Sequence, residues 1–326
     1  MTDRLAARYR RFAEVEAAGH SPLYETLALG VSADPDVLAF LAALPEGKQQ
    51  PNLLFAAVCH VAGTPADFPS FRSALLDQPE AVRATILARG TQTNEPARCA
   101  VLLPVLARLP QPLALLEVGA SAGLCLLPDR YAYDYDGLRL APPDADRSTP
   151  VFACRTIGNV PVPAEMPRVA WRAGIDLNPV EPGNDDQAAW LETLVWPGQA
   201  HRLTGLRGAL AVARRDPPAV RRGDLLTDLP ALAARAPANA TRVVFHTAVL
   251  AYVTDQTARD AFASTVRQLG ATWISNEAPG VFPDIAAKLV RRGPRGAFLL
   301  ALDGTPVAWT DPHGGWIEWI GDGDGR

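Results

Sequence analysis

The segment Leu115-Leu116-Glu117-Val118-Gly119-Ala120-Ser121-Ala122-Gly123 carries the strongest chemical signal in this chain of 326 residues. An apolar run reaches an acid and then breaks into small side chains. A nucleoside ligand approaches the backbone closely where a strand turns, and a Cβ there would clash. Gly119 and Gly123 remove that Cβ, and Ala120, Ser121 and Ala122 keep the turn small. Their N–H groups are expected to face the ligand. A tight turn with no ligand uses the same residue types. Dinucleotide enzymes seat a diphosphate on G-x-G-x-x-G. Glu117 stands where the first glycine belongs, which counts against a nucleotide-dependent oxidoreductase.

Gly174-Ile175-Asp176-Leu177-Asn178-Pro179 reads as a second strand ending in an acid that can accept two ribose hydroxyls at once. Asp176 follows Glu117 at far more than the ~20 residues usual for such a unit. A proline-rich insertion at about 128–168, between the first helix and the second strand, accounts for the excess. Asp134 and Asp136 are nearer in number, but no complete helix and strand precede them. The alternative role for Asp176 is to cap the Asn178-Pro179 turn. Gly223-Asp224-Leu225 follows a third strand and is by itself an ordinary turn. A fourth strand, Val243-Val244-Phe245-His246, brings His246 to the edge where open α/β sheets bind ligands. His246 could take a proton from an acceptor hydroxyl or amine, or pack without titrating. Glu277 after the fifth strand and Glu95 before the first are acids for the same edge, each against the default of a solvent-exposed carboxylate.

Taken whole, the chain resembles a bacterial family known only as a domain of unknown function, itself similar to class I S-adenosylmethionine-dependent methyltransferases. Gln92-Thr93-Asn94-Glu95, Leu116 to Leu124, Asp129-Arg130-Tyr131, Asp176-Leu177-Asn178-Pro179 and Val244-Phe245-His246 carry the resemblance. Glu-x-Gly-x-Ser-x-Gly resembles the first class I motif, with Ser121 in place of the usual middle glycine. The resemblance implies S-adenosylmethionine as cofactor, its amino-acid part near Glu117 and the turn Gly119, Ala120, Ser121, Gly123. It implies ribose at Asp176, Leu177 and Asn178, and adenine at Gly223, Asp224 and Leu225, with Asn94 and His246 bordering the cofactor. Acceptor chemistry would fall to His246, Glu277, Glu95 and Tyr252, since carboxylates and an aromatic ring suit a positive sulfonium. Asn-Pro-Pro-Tyr is absent from the fourth strand end, which points away from nucleic acid and toward a small-molecule methyl acceptor. A non-catalytic nucleoside or S-adenosylmethionine sensor is the competing reading.

Periodicity supplies the elements that must position these residues. Residues 1–108 read as helices that would form a lid or substrate wall. Leu5, Tyr9, Phe12 and Val15 recur at helical spacing, Asp34-Pro35 is a cap with proline at the first helical position, and Thr93-Asn94-Glu95-Pro96 opens the last helix. From 109 to 326 strands alternate with helices, which indicates a Rossmann-like, mostly parallel sheet. The last strands, Ala297–Leu302 and Trp316–Ile320, are joined by a Gly/Pro-rich connection with no helix, so an antiparallel ending is expected. The Tyr131, Tyr133, Tyr135 alternation within 128–168 suggests an inserted hairpin or extended loop. The balance of 31 basic against 35 acidic residues excludes a generic polyanion binder. The four cysteines lack CxxC spacing, so no metal site is expected and reduced thiols are. Charges throughout the first twenty positions and the lack of a ~20-residue apolar run suggest a cytoplasmic protein with no membrane partner.

Overall fold

The computed structural model describes residues 2–92, 94–289 and 291–321. Its helices are α1 (Thr2–Phe12), α2 (Pro22–Ala33), α3 (Pro35–Ala42), α4 (Pro51–Ala62), α5 (Phe68–Asp77), α6 (Pro79–Ala88), α7 (Arg98–Leu106), α8 (Asp185–Thr193), α9 (Ala200–Arg215), α10 (Leu229–Ala233), α11 (Gln256–Gln268) and α12 (Pro283–Ala286). Its strands are β1 (Leu113–Val118), β2 (Ala132–Tyr135), β3 (Leu138–Leu140), β4 (Val151–Ala153), β5 (Arg155–Ile157), β6 (Val169–Asp176), β7 (Ala219–Arg222), β8 (Thr241–Thr247), β9 (Thr272–Glu277), β10 (Phe298–Leu302), β11 (Thr305–Thr310) and β12 (Trp316–Trp319). No described helix is long and apolar enough to cross a membrane. Contacts divide the chain into two compact units, Met1–Thr93 with Asn184–Thr204, and Asn94–Gly183 with Gly205–Arg326.

The first unit holds α1–α6 and α8. Its helix starts are written in the sequence: Ser21 accepts from Tyr24 N–H, Asp34 from Asp36 and Val37 N–H, and Asp67 with Ser70 forms a capping box. Phe55 centres the core, with ring centroids 4.9 Å from Tyr24, 5.6 Å from Phe71 and 6.0 Å from Phe12. Trp196 returns to this cluster from the second segment, 5.6 Å from both Phe12 and Tyr24. The expected α1 stripe holds for Leu5, Tyr9 and Phe12 but not for Val15, which is exposed because Ala13–Ala17 forms a π-helical turn that shifts the period.

The second unit is built on a nine-stranded sheet of order β5-β12-β11-β10-β9-β8-β1-β6-β7. Pairs β8–β9, β8–β1, β1–β6, β6–β7 and β12–β5 are parallel; β9–β10, β10–β11 and β11–β12 are antiparallel. The sheet is thus mostly parallel, with an antiparallel ending. The connection after Leu302 is not the loop expected from its Gly and Pro: Thr305–Thr310 is a strand, and Asp303-Gly304 makes the reversal, both at positive φ. All of β1 is buried, as a central parallel strand must be. Register places Glu117 beside Phe245 and Thr247 beside Asn276, so these side chains share one face of the sheet. On the other face Leu116, Val118, Val244 and Trp273 pack with Phe262 and Val266 of α11.

One sequence expectation fails around β1. No α-helix follows the glycine turn. Leu124–Leu126 and Pro128–Arg130 are single 3-10 turns, because Leu124 to Pro128 is buried all round and offers no polar stripe for an amphipathic helix. Pro128 also lacks the N–H that continuation would need. Of the two readings of the insertion, a hairpin or an extended loop, β2 and β3 form the hairpin. Strands β3-β2-β4 form a small sheet, and β5 joins the edge of the large one.

The tyrosine alternation has a physical purpose in that small sheet. The Tyr131, Tyr133 and Tyr135 hydroxyls donate to the carbonyls of Leu124, Pro128 and Ala100, at 2.8, 2.6 and 2.6 Å. Ala100 sits in α7 four residues before Pro104, which cannot donate the helical hydrogen bond to it. Tyr135 therefore supplies the donor that Pro104 lacks. Tyr135→Phe should destabilise the protein by about 1–3 kcal/mol, the usual cost of orphaning a buried acceptor. In a Pro104→Ala background the backbone N–H returns and the loss should shrink. A urea-unfolding double-mutant cycle with no coupling between these positions would refute the assignment.

Candidate functional site

The carboxyl edge of β1, β6, β8 and β9 gathers most of the predicted residues within the second unit. Gly119 and Ser121 adopt φ of 71° and 50° and Gly123 a φ of 70°, so the chain reverses sharply after Val118. The N–H groups of this turn do not wait for a ligand. Gly119 and Ala120 N–H donate to Ile175 O at 2.8 and 3.1 Å, Ser121 N–H to Asp176 Oδ2 at 2.8 Å, Ala122 N–H to Asn94 Oδ1 at 3.0 Å, and Gly123 N–H to Ala120 O at 2.6 Å. Buried donors must be satisfied, and here protein acceptors satisfy them. The space beside the glycines is filled as well. A Cβ on Gly119 would lie 2.2 Å from Val249 Cγ2, and one on Gly123 2.6 Å from Pro218 Cγ. The glycines thus admit protein packing, which corrects the expectation of an open ligand-facing turn.

Asn94 acts on this turn and not as a helix cap. Its Nδ2 donates to Ser121 Oγ at 2.8 Å while its Oδ1 takes Ala122 N–H, and α7 begins only at Arg98 without a side-chain cap. Thr93 lies outside the described residues. Asp176 is half-buried and joins two turns. Oδ2 accepts from Ser121 and Oδ1 accepts from Asn178 N–H at 2.7 Å, so the capping alternative raised by the sequence describes its observed bonds. Each carboxylate oxygen retains acceptor capacity. Leu177 beside it is 64% exposed, an apolar side chain presented to solvent at the strand end. Asn178 is exposed too. Gly223 N–H donates to Asp176 O at 3.0 Å, and exposed Asp224 accepts from Leu226 N–H at 2.8 Å, with Leu225 half-buried between them.

Glu117 lies at the end of β1. It is buried, and its Oε2 has no hydrogen-bond partner. Burial pushes its carboxyl well above the usual range, Cys125 and Asp176 push the same way, and Arg98 opposes them.

His246 and Glu277 form a closed pair on the α11 face. His246 is fully buried, its Nδ1 2.7 Å from Glu277 Oε1. The indole N–H of Trp273, a donor only, points at His246 Nε2 from 3.0 Å. Nε2 therefore accepts and the ring hydrogen sits on Nδ1, so the contact with Glu277 is a hydrogen bond from an uncharged ring. Both nitrogens are taken, and neither faces an acceptor substrate. Glu277 Oε1 also accepts Val249 and Leu250 N–H at 2.9 and 3.0 Å, while its Oε2 is buried without a partner. The default of a solvent-exposed carboxylate fails for Glu277 and for Glu95, both buried. Tyr252, by contrast, is 72% exposed at the end of a 3-10 turn.

On the face that Glu117 shares with Thr247 and Asn276 lies a residue that sequence reading passed over. Arg98 is buried; its Nε donates to Pro312 O at 2.7 Å and its Nη1 to Thr247 O at 3.1 Å. An arginine opening a helix is ordinarily solvated, and nothing in the local pattern distinguishes this one. Asn276 adjoins Glu277 in sequence, but its alternation onto the opposite face became visible only with the register.

The buried acid generates a stability prediction. With its folded pKa raised, Glu117 makes the native state hold more protons than the unfolded chain above the ordinary carboxylate range. Stability then falls as pH rises through that window. Glu117→Gln removes the titration. Its melting temperature should exceed wild type at pH 8 by an amount corresponding to about 1–3 kcal/mol, with the gap narrowing toward pH 4. A wild-type advantage at pH 8 in differential scanning calorimetry would contradict this.

No significant match was found among curated proteins or solved structures. A family model matches residues 6–319, nearly the full chain. With that coverage, the chain belongs to the family described as an uncharacterized protein conserved in bacteria (DUF2332).

Proposed function

We propose that this protein is an S-adenosylmethionine-dependent methyltransferase acting on a small molecule, with a class I, Rossmann-like arrangement of β1, β6, β7, β8 and β9. The observation that carries the reading is the unpartnered Glu117 oxygen at the end of the central strand. A buried carboxylate with no ion-pair partner in contact is costly, and a ligand ammonium would relieve it. The methionine end of S-adenosylmethionine brings such an ammonium. The neighbouring groups fit the rest of the molecule. Asp176 keeps acceptor capacity for ribose hydroxyls, Leu177 offers an exposed apolar surface to a purine, and Asp224 lies exposed after the next strand.

When bound, the cofactor supplies a methyl group on a positive sulfonium. The chain's contribution is to bind, to orient, and to present negative potential to that charge. Asn94 and Asp176 hold the turn in shape, and Glu277 holds the loop carrying Val249 against it. A second reading, a sensor that binds the same ligand without turnover, is favoured by one observation. His246, the candidate base, has both ring nitrogens engaged inside the core.

Titration calorimetry with S-adenosylhomocysteine tests the binding shared by both readings. Asp176→Ala, if folded, should lose about 1.5–3 kcal/mol of affinity, the value of a charge-assisted hydrogen bond. Affinity should also rise with pH as Glu117 ionises, because an ammonium prefers the carboxylate. No binding by wild type between pH 6 and 9 would eliminate the proposal. Binding without methyl transfer to any of a panel of amines, thiols and carboxylic acids would favour the sensor.

A further inference from the structure

Arg98 and Asn276 make an acceptor-poor corner on the Glu117 face of the sheet. Arg98 is 4% exposed, and its hydrogen bonds go to neutral oxygens, those of Pro312 and Thr247. Among the described residues no carboxylate lies within 4.0 Å of its guanidinium. Glu117 is near enough to feel its charge but does not close an ion pair with it. Asn276 is fully buried in the register position beside Thr247, the residue that Arg98 holds. Its Oδ1 accepts from the Thr310 hydroxyl at 2.7 Å, which leaves Nδ2 as a buried donor with no partner. Pro312 lies just beyond Thr310, so the guanidinium joins Thr247, the register neighbour of Asn276, to the β11–β12 turn that follows Thr310, the partner of Asn276.

A buried cation and a buried unpaired amide N–H on one face both ask for the same thing, an anionic acceptor. We infer that this corner receives the carboxylate of a small organic acid, held by the Arg98 guanidinium and Asn276 Nδ2. The group arrives charged, so no proton need move on binding. A planar carboxylate suits the guanidinium fork, and the amide N–H adds a donor that a point charge would not require. The corner lies at the ends of β8 and β9, on the side of β1 away from Asp176 and Leu177. If the methyltransferase reading is correct, on which this assignment of role rests, the carboxylate belongs to the methyl acceptor.

The test is thermal unfolding of the full chain with potassium succinate and potassium benzoate, each against its amide, at constant ionic strength. At about ten times the dissociation constant a bound carboxylate should raise the melting temperature by roughly 2 °C or more, and the amide should not. Asn276→Asp places a carboxylate within the chain on the face that Arg98 reaches, at the register position beside Thr247. It should melt above wild type without ligand and lose the response to both acids. Arg98→Gln, if it folds, should also lose the response. Equal shifts with acids and amides, no shift with either acid, or an Asn276→Asp protein that keeps the wild-type response would each overturn the inference. S-adenosylhomocysteine titration of wild type is read separately. Carboxylate protection without S-adenosylhomocysteine binding removes the cofactor reading alone, and the converse removes the carboxylate corner alone.

Discussion

The hydrogen bond between His246 and Glu277 organises the carboxyl edge. It is set by a neighbour that can only donate. The Trp273 indole takes Nε2, the ring hydrogen must sit on Nδ1, and Nδ1 then meets Glu277 Oε1. The same oxygen gathers Val249 and Leu250 N–H, which anchors the start of the loop after β8. That anchoring puts Val249 into the space Gly119 leaves, and the turn after β1 closes against it. Hydrogen bonds that share one buried oxygen polarise one another, here with the second Glu277 oxygen left unpartnered. The network therefore ties the geometry of two strand ends to one tautomer.

The opposite face is treated differently. There Glu117 Oε2 and Asn276 Nδ2 are buried and unpaired, and Arg98 is buried with only neutral partners. A chain under selection for stability alone would pair these groups or replace them by apolar ones. Unrelieved polar groups at a strand edge are a cost that ligand binding can offset, and functional sites are where such costs persist. The α11 face uses its bonds to fix the loop after β8, with Glu277 Oε2 left unpartnered, and the other face leaves Glu117 Oε2 and Asn276 Nδ2 open.

Much of this was legible from local chemistry. The strand ending in Glu117, the acid at Asp176 and the strand carrying His246 all follow from apolar runs and turn residues, which are properties of neighbours in sequence. A capping aspartate and a proline marked the helix start at Asp34-Pro35 in the same way. The strand Thr305–Thr310 was missed because Gly304 and Pro306 read as loop, whereas pairing with β10 and β12 overrides that preference. The helix expected after Gly123 does not form, because burial on every side of Leu124 to Pro128 leaves no polar stripe for an amphipathic helix.

Residue type and spacing alone determined which groups reach the carboxyl edge, since strand direction delivers the last residue of each parallel strand to the same side. They did not determine what each group meets there. Asn94 was expected beside a cofactor and holds the turn, His246 was read as a base or a packed ring and is enclosed, Glu277 had solvent exposure as its default and is buried, and Arg98, which the sequence did not single out, is interior. Each of these outcomes depends on cross-strand register and on which partner fills a lone pair, and both are set by residues distant in sequence. The tertiary structure decided them because a hydrogen bond is specific to the atom opposite, and the chain's order does not say which atom that will be.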